Sequence, residues 1–158
     1  LRTDERVGLR IIGGAGIARV PTGSGRGHLR RVLHELAGMR HGLPDRDPSL
    51  ARLGVRAGAL VVMFSPLASS RALVQAVTLA RRGLSVLVVD TLPSDLQGTF
   101  DNPYLEIAWR IRVLERESEL HHITDAGVPV TPWRGPGSLD RVLRDAGRRS
   151  AAPRMARR

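Results

Sequence analysis

The chain has 158 residues, about one domain's worth, and 42% of them are hydrophobic, which argues against global disorder. Only 3% are aromatic, so Val, Leu, Ile and Ala must do most of the packing, and the lack of cysteine excludes disulfides, thiolate metal sites and cysteine nucleophiles. The formal charge of +10 invites a nucleic-acid partner, yet every one of the 25 basic residues is arginine, a pattern closer to codon bias than to selection for phosphate contacts.

The start, Leu1 followed by the polar "RTDERVG", gives the expectation that more sequence lies upstream. "RVGLRIIGG", Arg6 to Gly14, has a β-branched core and ends in glycines, which predicts a strand. "GIARVP" then predicts its hairpin partner, with the turn closed through Gly13, Gly14 and Gly16. After the glycine-rich "TGSGRG" a helix is expected over about His28–Met39, with Leu29, Val32, Leu33 and Leu36 inward. "HGLPDRDPS" is a surface loop.

"GALVVMFSP" is a continuous apolar run of the kind that suits a strand covered on both faces. "LASSRALVQAVTLARRG" predicts a helix with Leu73, Val77 and Ala80 inward and Gly83 past its end. "LSVLVVDTLP" is a second buried strand that places Asp90 at its carboxyl end. The longest helix follows in "PYLEIAWRIRVLERESELHHITDAG", with Ile107, Ile111 and Leu114 opening an apolar stripe that Leu120 and Ile123 continue. "VPVTPW" is a short third strand, and "SLDRVLRDAG" a closing helix capped by Ser138. This alternation predicts an α/β fold with an open, mostly parallel sheet and helices on both faces. One domain is expected over residues 1–147, with an arginine-rich, disordered tail over 148–158. No segment offers the roughly 20 apolar residues that a membrane helix needs, and no signal peptide is evident.

The motifs that would carry chemistry fail on inspection. "GSGRGH" lacks the lysine and the following hydroxyl of a phosphate loop, and Gly23, Gly25 and Gly27 have the wrong spacing for a dinucleotide fingerprint. An anion on free backbone N–H groups there competes with a plain connecting turn, which is the favoured reading. Ser65 sits at a strand's carboxyl end, but its neighbours Phe64 and Pro66 exclude the small-residue turn of a hydrolase nucleophile. His121 and His122 are adjacent on a helix, about 100° apart, and cannot easily share one metal. "LERESE" and "SLDRVLRD" are expected as exposed, charged helix faces. No acid–base carboxylate pair stands out, so an enzyme is not expected.

Taken in order, "ERVGLRIIGGAGIARVPTGSGRGHLRRVLHELA", "LVVMFSPLASSRALVQAVTLARRGLSVLVVD" and "RIRVLERESELHHITDAGVPVTPW" resemble the von Willebrand factor A-like proteins. Within these they resemble the bacterial branch catalogued as domain-of-unknown-function family 58. The resemblance implies an open α/β sheet, a MoxR-type AAA+ ATPase as partner, and a role in the assembly or maturation of client proteins. It also implies a cytoplasmic location, with a membrane anchor upstream in many members. The first central strand, with its Asp-x-Ser-x-Ser loop, has no counterpart in this chain.

The second ligand loop of that family's metal site falls at Thr22 or Ser24. In the third, Ser65 aligns with the residue before the usual aspartate and Pro66 stands in the aspartate's own place. Proline offers no side-chain ligand, so the metal site is expected to be degenerate and no cofactor, Mg²⁺ included, is expected. The leading expectation is a non-enzymatic interaction module whose binding edge carries Thr22, Ser24, Ser65 and Asp90, at or beside strand carboxyl ends. The alternative is an arginine-rich binder of nucleic acid or anionic surfaces, using the tail and the helix near Arg26, Arg30 and Arg31.

Overall fold

The computed structural model describes residues 5–12, 18–39, 55–56, 58–67, 70–93, 98 and 100–151. The chain divides into two units, residues 1–53 and 54–158.

In the first unit, β1 (Val7–Ile11) and β2 (Ala18–Gly23) pair antiparallel, with Leu9 opposite Val20 and a bulge between Val7 and Leu9. This is the expected hairpin, although its closing glycines lie outside the described residues. Helix α1 (Gly25–Ala37) follows directly and starts three residues before the predicted His28. Its predicted inner face is not covered. Leu29, Leu33 and Leu36 are 38%, 54% and 43% exposed, and no residue of α1 is buried. The predicted loop after it, "HGLPDRDPS", also lies outside the described residues.

The second unit runs β3 (Leu60–Ser65), α2 (Ser70–Arg81), β4 (Ser85–Asp90), α3 (Pro103–Asp125), β5 (Val130–Pro132) and α4 (Asp140–Ala151). Its three strands form one sheet in the order β3-β4-β5, parallel throughout. The expected α/β class with a parallel sheet is therefore what the chain adopts. The register is unbroken from Leu60 opposite Ser85 to Ser65 opposite Asp90, and Asp90 in turn lies opposite Pro132.

Strand β4 is central, and its "VLVV" is buried throughout, as a strand covered on both faces requires. Alternate side chains point to opposite faces. Leu87 and Val89 pack with Leu139 and Ala146 beneath α4, where Leu60, Val62, Val142 and Leu143 join them. Val86 and Val88 therefore point to the other face, and α2 packs against β4 and against α3. The buried line of α2 is Leu73, Ala76 and Leu79, rotated from the predicted Leu73, Val77 and Ala80, which leaves the latter two half-buried.

Three further expectations change. In α3 the end of the predicted stripe docks, with Ile123 buried and Leu120 half-buried, while Ile107, Ile111 and Leu114 at its start are more than half exposed. Ser138 does not cap α4. Its hydroxyl donates to the Gly135 carbonyl at 2.7 Å and accepts from the Arg134 N–H, so it closes the turn ahead of the helix. The predicted tail boundary at 148 also moves, since α4 continues to Ala151.

Ile123 is 2% exposed, and truncating it opens a cavity that the surrounding side chains cannot fill. Ile123→Ala is expected to lower unfolding free energy by about 3 kcal/mol, read from the midpoint of urea denaturation followed by circular dichroism.

Candidate functional site

The carboxyl end of a parallel sheet is where ligands approach an open α/β fold, because strand carbonyls, loops and helix starts converge there. In the second unit this end is built on Ser65 and Asp90, register partners on β3 and β4. The backbone ties them again one step further on, where the Thr91 N–H donates to the Ser65 carbonyl at 3.0 Å.

Both side chains are engaged locally. The Ser65 hydroxyl oxygen accepts the Leu67 N–H at 3.1 Å and so turns the chain out of β3. The turn brings Leu67 to φ 51°, in the left-handed region that costs a leucine about 1–2 kcal/mol, and its completely buried side chain helps to offset that cost. Asp90 accepts the Leu92 N–H on Oδ1 at 3.0 Å, and its Oδ2 accepts from Arg116 at 2.5 Å. Its backbone carbonyl accepts the Trp133 N–H at 2.8 Å, just beyond β5.

Arg116 comes from the middle of α3, 26 residues away in sequence. It is 17% exposed against 13% for Asp90, and its Nε donates to the Pro66 carbonyl at 3.4 Å. One guanidinium therefore bridges the turn after β3 and the end of β4. The "LERESE" segment was expected as a solvent-exposed charged face, yet Arg116 and Glu119 turn inward from it. Glu119 lies 3.7 Å from Arg112, and one of its carboxylate oxygens is buried without a hydrogen-bond partner. No sequence signal singles out Arg116, since its neighbours Glu115 and Glu117 are exposed charges of the ordinary kind.

The third loop of the expected degenerate metal site falls at this strand end. Here the positive charge opposite Asp90 is Arg116, and Pro66 contributes only its carbonyl, to that same arginine. Among the described residues no three His, Asp or Glu side chains gather as a metal site would require.

Thr22 and Ser24 belong to the first unit. Both are exposed, at the end of β2 and at the start of α1, and the Ser24 side chain makes no cap hydrogen bond. The glycines around them meet conformational needs. A Cβ on Gly23 would come within 2.5 Å of the His28 ring, which lies across the strand end so that Nε2 donates to the Val7 carbonyl at 2.7 Å. Gly25 opens the helix at φ 81°. Of the four expected edge residues, then, the fold pairs Ser65 with Asp90 in one unit and sets Thr22 close to Ser24 in the other.

No family model, curated protein or solved structure matches the chain.

Because the Asp90–Arg116 pair is mostly shielded from water, removing one partner strands the other charge. Arg116→Ala and Asp90→Ala are each expected to cost about 2 kcal/mol, between the values for exposed and fully buried pairs. The double variant should cost clearly less than the sum of the two, which a double-mutant cycle of urea melts would measure.

Proposed function

We propose that the chain is a non-enzymatic protein-interaction module of a von Willebrand A-like protein that works with a MoxR-type AAA+ ATPase in protein assembly or maturation. The observation that carries this reading is the use of side chains at the sheet's carboxyl end. Ser65 and Asp90 are committed to turning the chain and clamping α3, which suits a shaped docking surface better than a reacting centre. The parallel sheet supports the family resemblance at the level of fold class. The exposed pair Thr22 and Ser24 would supply a second contact patch in the first unit. At the third-loop position, the Arg116 guanidinium would stand where the resemblance places that family's metal.

A second reading draws on Arg26, Arg30 and Arg31, which are all exposed on α1 with no acid in its first turn. Such a surface would bind nucleic acid through phosphates, and its affinity would fall steeply between low and physiological salt.

Thr22 and Ser24 are at the surface, so Thr22→Arg/Ser24→Arg should leave stability within about 0.5 kcal/mol. The same variant is expected to weaken binding to the cognate ATPase by about tenfold or more, measured by calorimetry. Unchanged binding would remove these residues from the interaction surface.

A further inference from the structure

Helix α3 has two faces with different tasks. Trp109, Arg116 and Ile123 are seven residues apart and lie on one line of the helix. That line is the docked one: Ile123 is buried, Arg116 reaches Asp90, and the Trp109 ring contacts Phe100 with centroids 6.0 Å apart. Tyr104, Ile107, Ile111 and Leu114 follow the three–four spacing of a coiled-coil seam on the opposite side. They are 79%, 55%, 52% and 65% exposed. Four large apolar side chains in one row on the solvent side of a 23-residue helix form a surface that water covers at a cost.

The residues beside the row identify what covers it. Arg110 and Glu117 flank it on one side, seven residues apart, and the Arg110 side chain is 75% exposed and pairs at the surface with Glu106. If a second α3 is laid antiparallel along the row, Ile111 packs against Leu114 of the second copy and Leu114 against its Ile111. Tyr104 then meets His121, and Ile107 meets Ser118, so the apolar layers are central and the polar ones peripheral. In that register Arg110 falls opposite Glu117 of the second copy, and the two-fold axis repeats the pair. On the other flank Ala108 falls opposite Glu115, with no like charges facing. The antiparallel alignment also opposes the two helix dipoles favourably.

We propose that α3 is the homodimerisation helix of this protein, pairing antiparallel with α3 of a second copy through Tyr104, Ile107, Ile111 and Leu114, with Arg110–Glu117 ion pairs setting the orientation. The row lies away from the Asp90–Arg116 clamp, so pairing leaves the clamp intact and does not depend on any ATPase partner. A single pair of helices is a small interface, which makes the dimer concentration-dependent.

The test is sedimentation equilibrium on the 158-residue chain over a range of concentrations, with circular-dichroism melts of every variant. The wild type should show a reversible monomer–dimer equilibrium. Ile111→Glu/Leu114→Glu should abolish it while still melting cooperatively, because both side chains face solvent in the monomer. Arg110→Glu and Glu117→Arg should each weaken association by about tenfold, since each removes two weak ion pairs and sets like charges face to face. The double exchange Arg110→Glu/Glu117→Arg should restore it. A wild type that stays monomeric throughout overturns the proposal, as does an Ile111→Glu/Leu114→Glu variant that dimerises unchanged. Failure of the double exchange to rescue overturns it too, because parallel helices would set Arg110 against Glu115 instead.

Discussion

One ion pair organises the end of the sheet on which the functional reading rests. Asp90 is the last residue of the central strand and lies level with the ends of both neighbouring strands. Its carboxylate holds Arg116, and through Arg116 it fixes α3 against the turn after β3. A charge pair so shielded from water contributes little net stability, but losing either half is costly. The left-handed turn at Leu67 and the hydroxyl of Ser65 belong to the same assembly.

That clamp also explains which parts of the fold were legible in the sequence. Strands β3 and β4 were plain as strands from their unbroken apolar runs, but only β4 is covered on both sides, whereas β3 is half-buried with Phe64 exposed at the sheet edge. Helix α3 was plain as a helix and misleading in its orientation. Its docked face carries Trp109, Arg116 and Ile123, with the charged Arg112 and Glu119 beside them, while its free line carries Ile107, Ile111 and Leu114. Hydrophobic periodicity assumes that the more apolar side faces the core, and here a charged partner at the strand end reverses that rule over the helix's first half. Ser65 and Asp90 were found by position alone, as residues at strand carboxyl ends. Arg116 could not be found that way, since its role depends on a contact 26 residues distant.

The glycine-rich segment before α1 shows how composition can mimic a ligand loop. A side chain at Gly23 would displace the imidazole that crosses the strand end, and Gly25 starts the helix from a left-handed conformation that suits glycine. These are steric demands of joining a strand directly to a helix through one intervening residue, and they account for two of the three glycines without a bound phosphate.

The order β3-β4-β5 follows the order of synthesis, so each strand joins beside the one before it and no later element has to be inserted between them. Each parallel pairing nonetheless spans a helical crossover, 25 residues from Ser65 to Asp90 and 42 from Asp90 to Pro132, and such non-local contacts slow assembly. Among the described residues, the order also leaves the outer side of β3 without a strand from its own sheet. "LVVMFS" has no charge, no proline and no bulge to discourage a newcomer, and its Phe64 is 59% exposed. Natural edge strands usually carry such gatekeepers. On a nascent or partly unfolded chain such an edge would be a template for other extended segments.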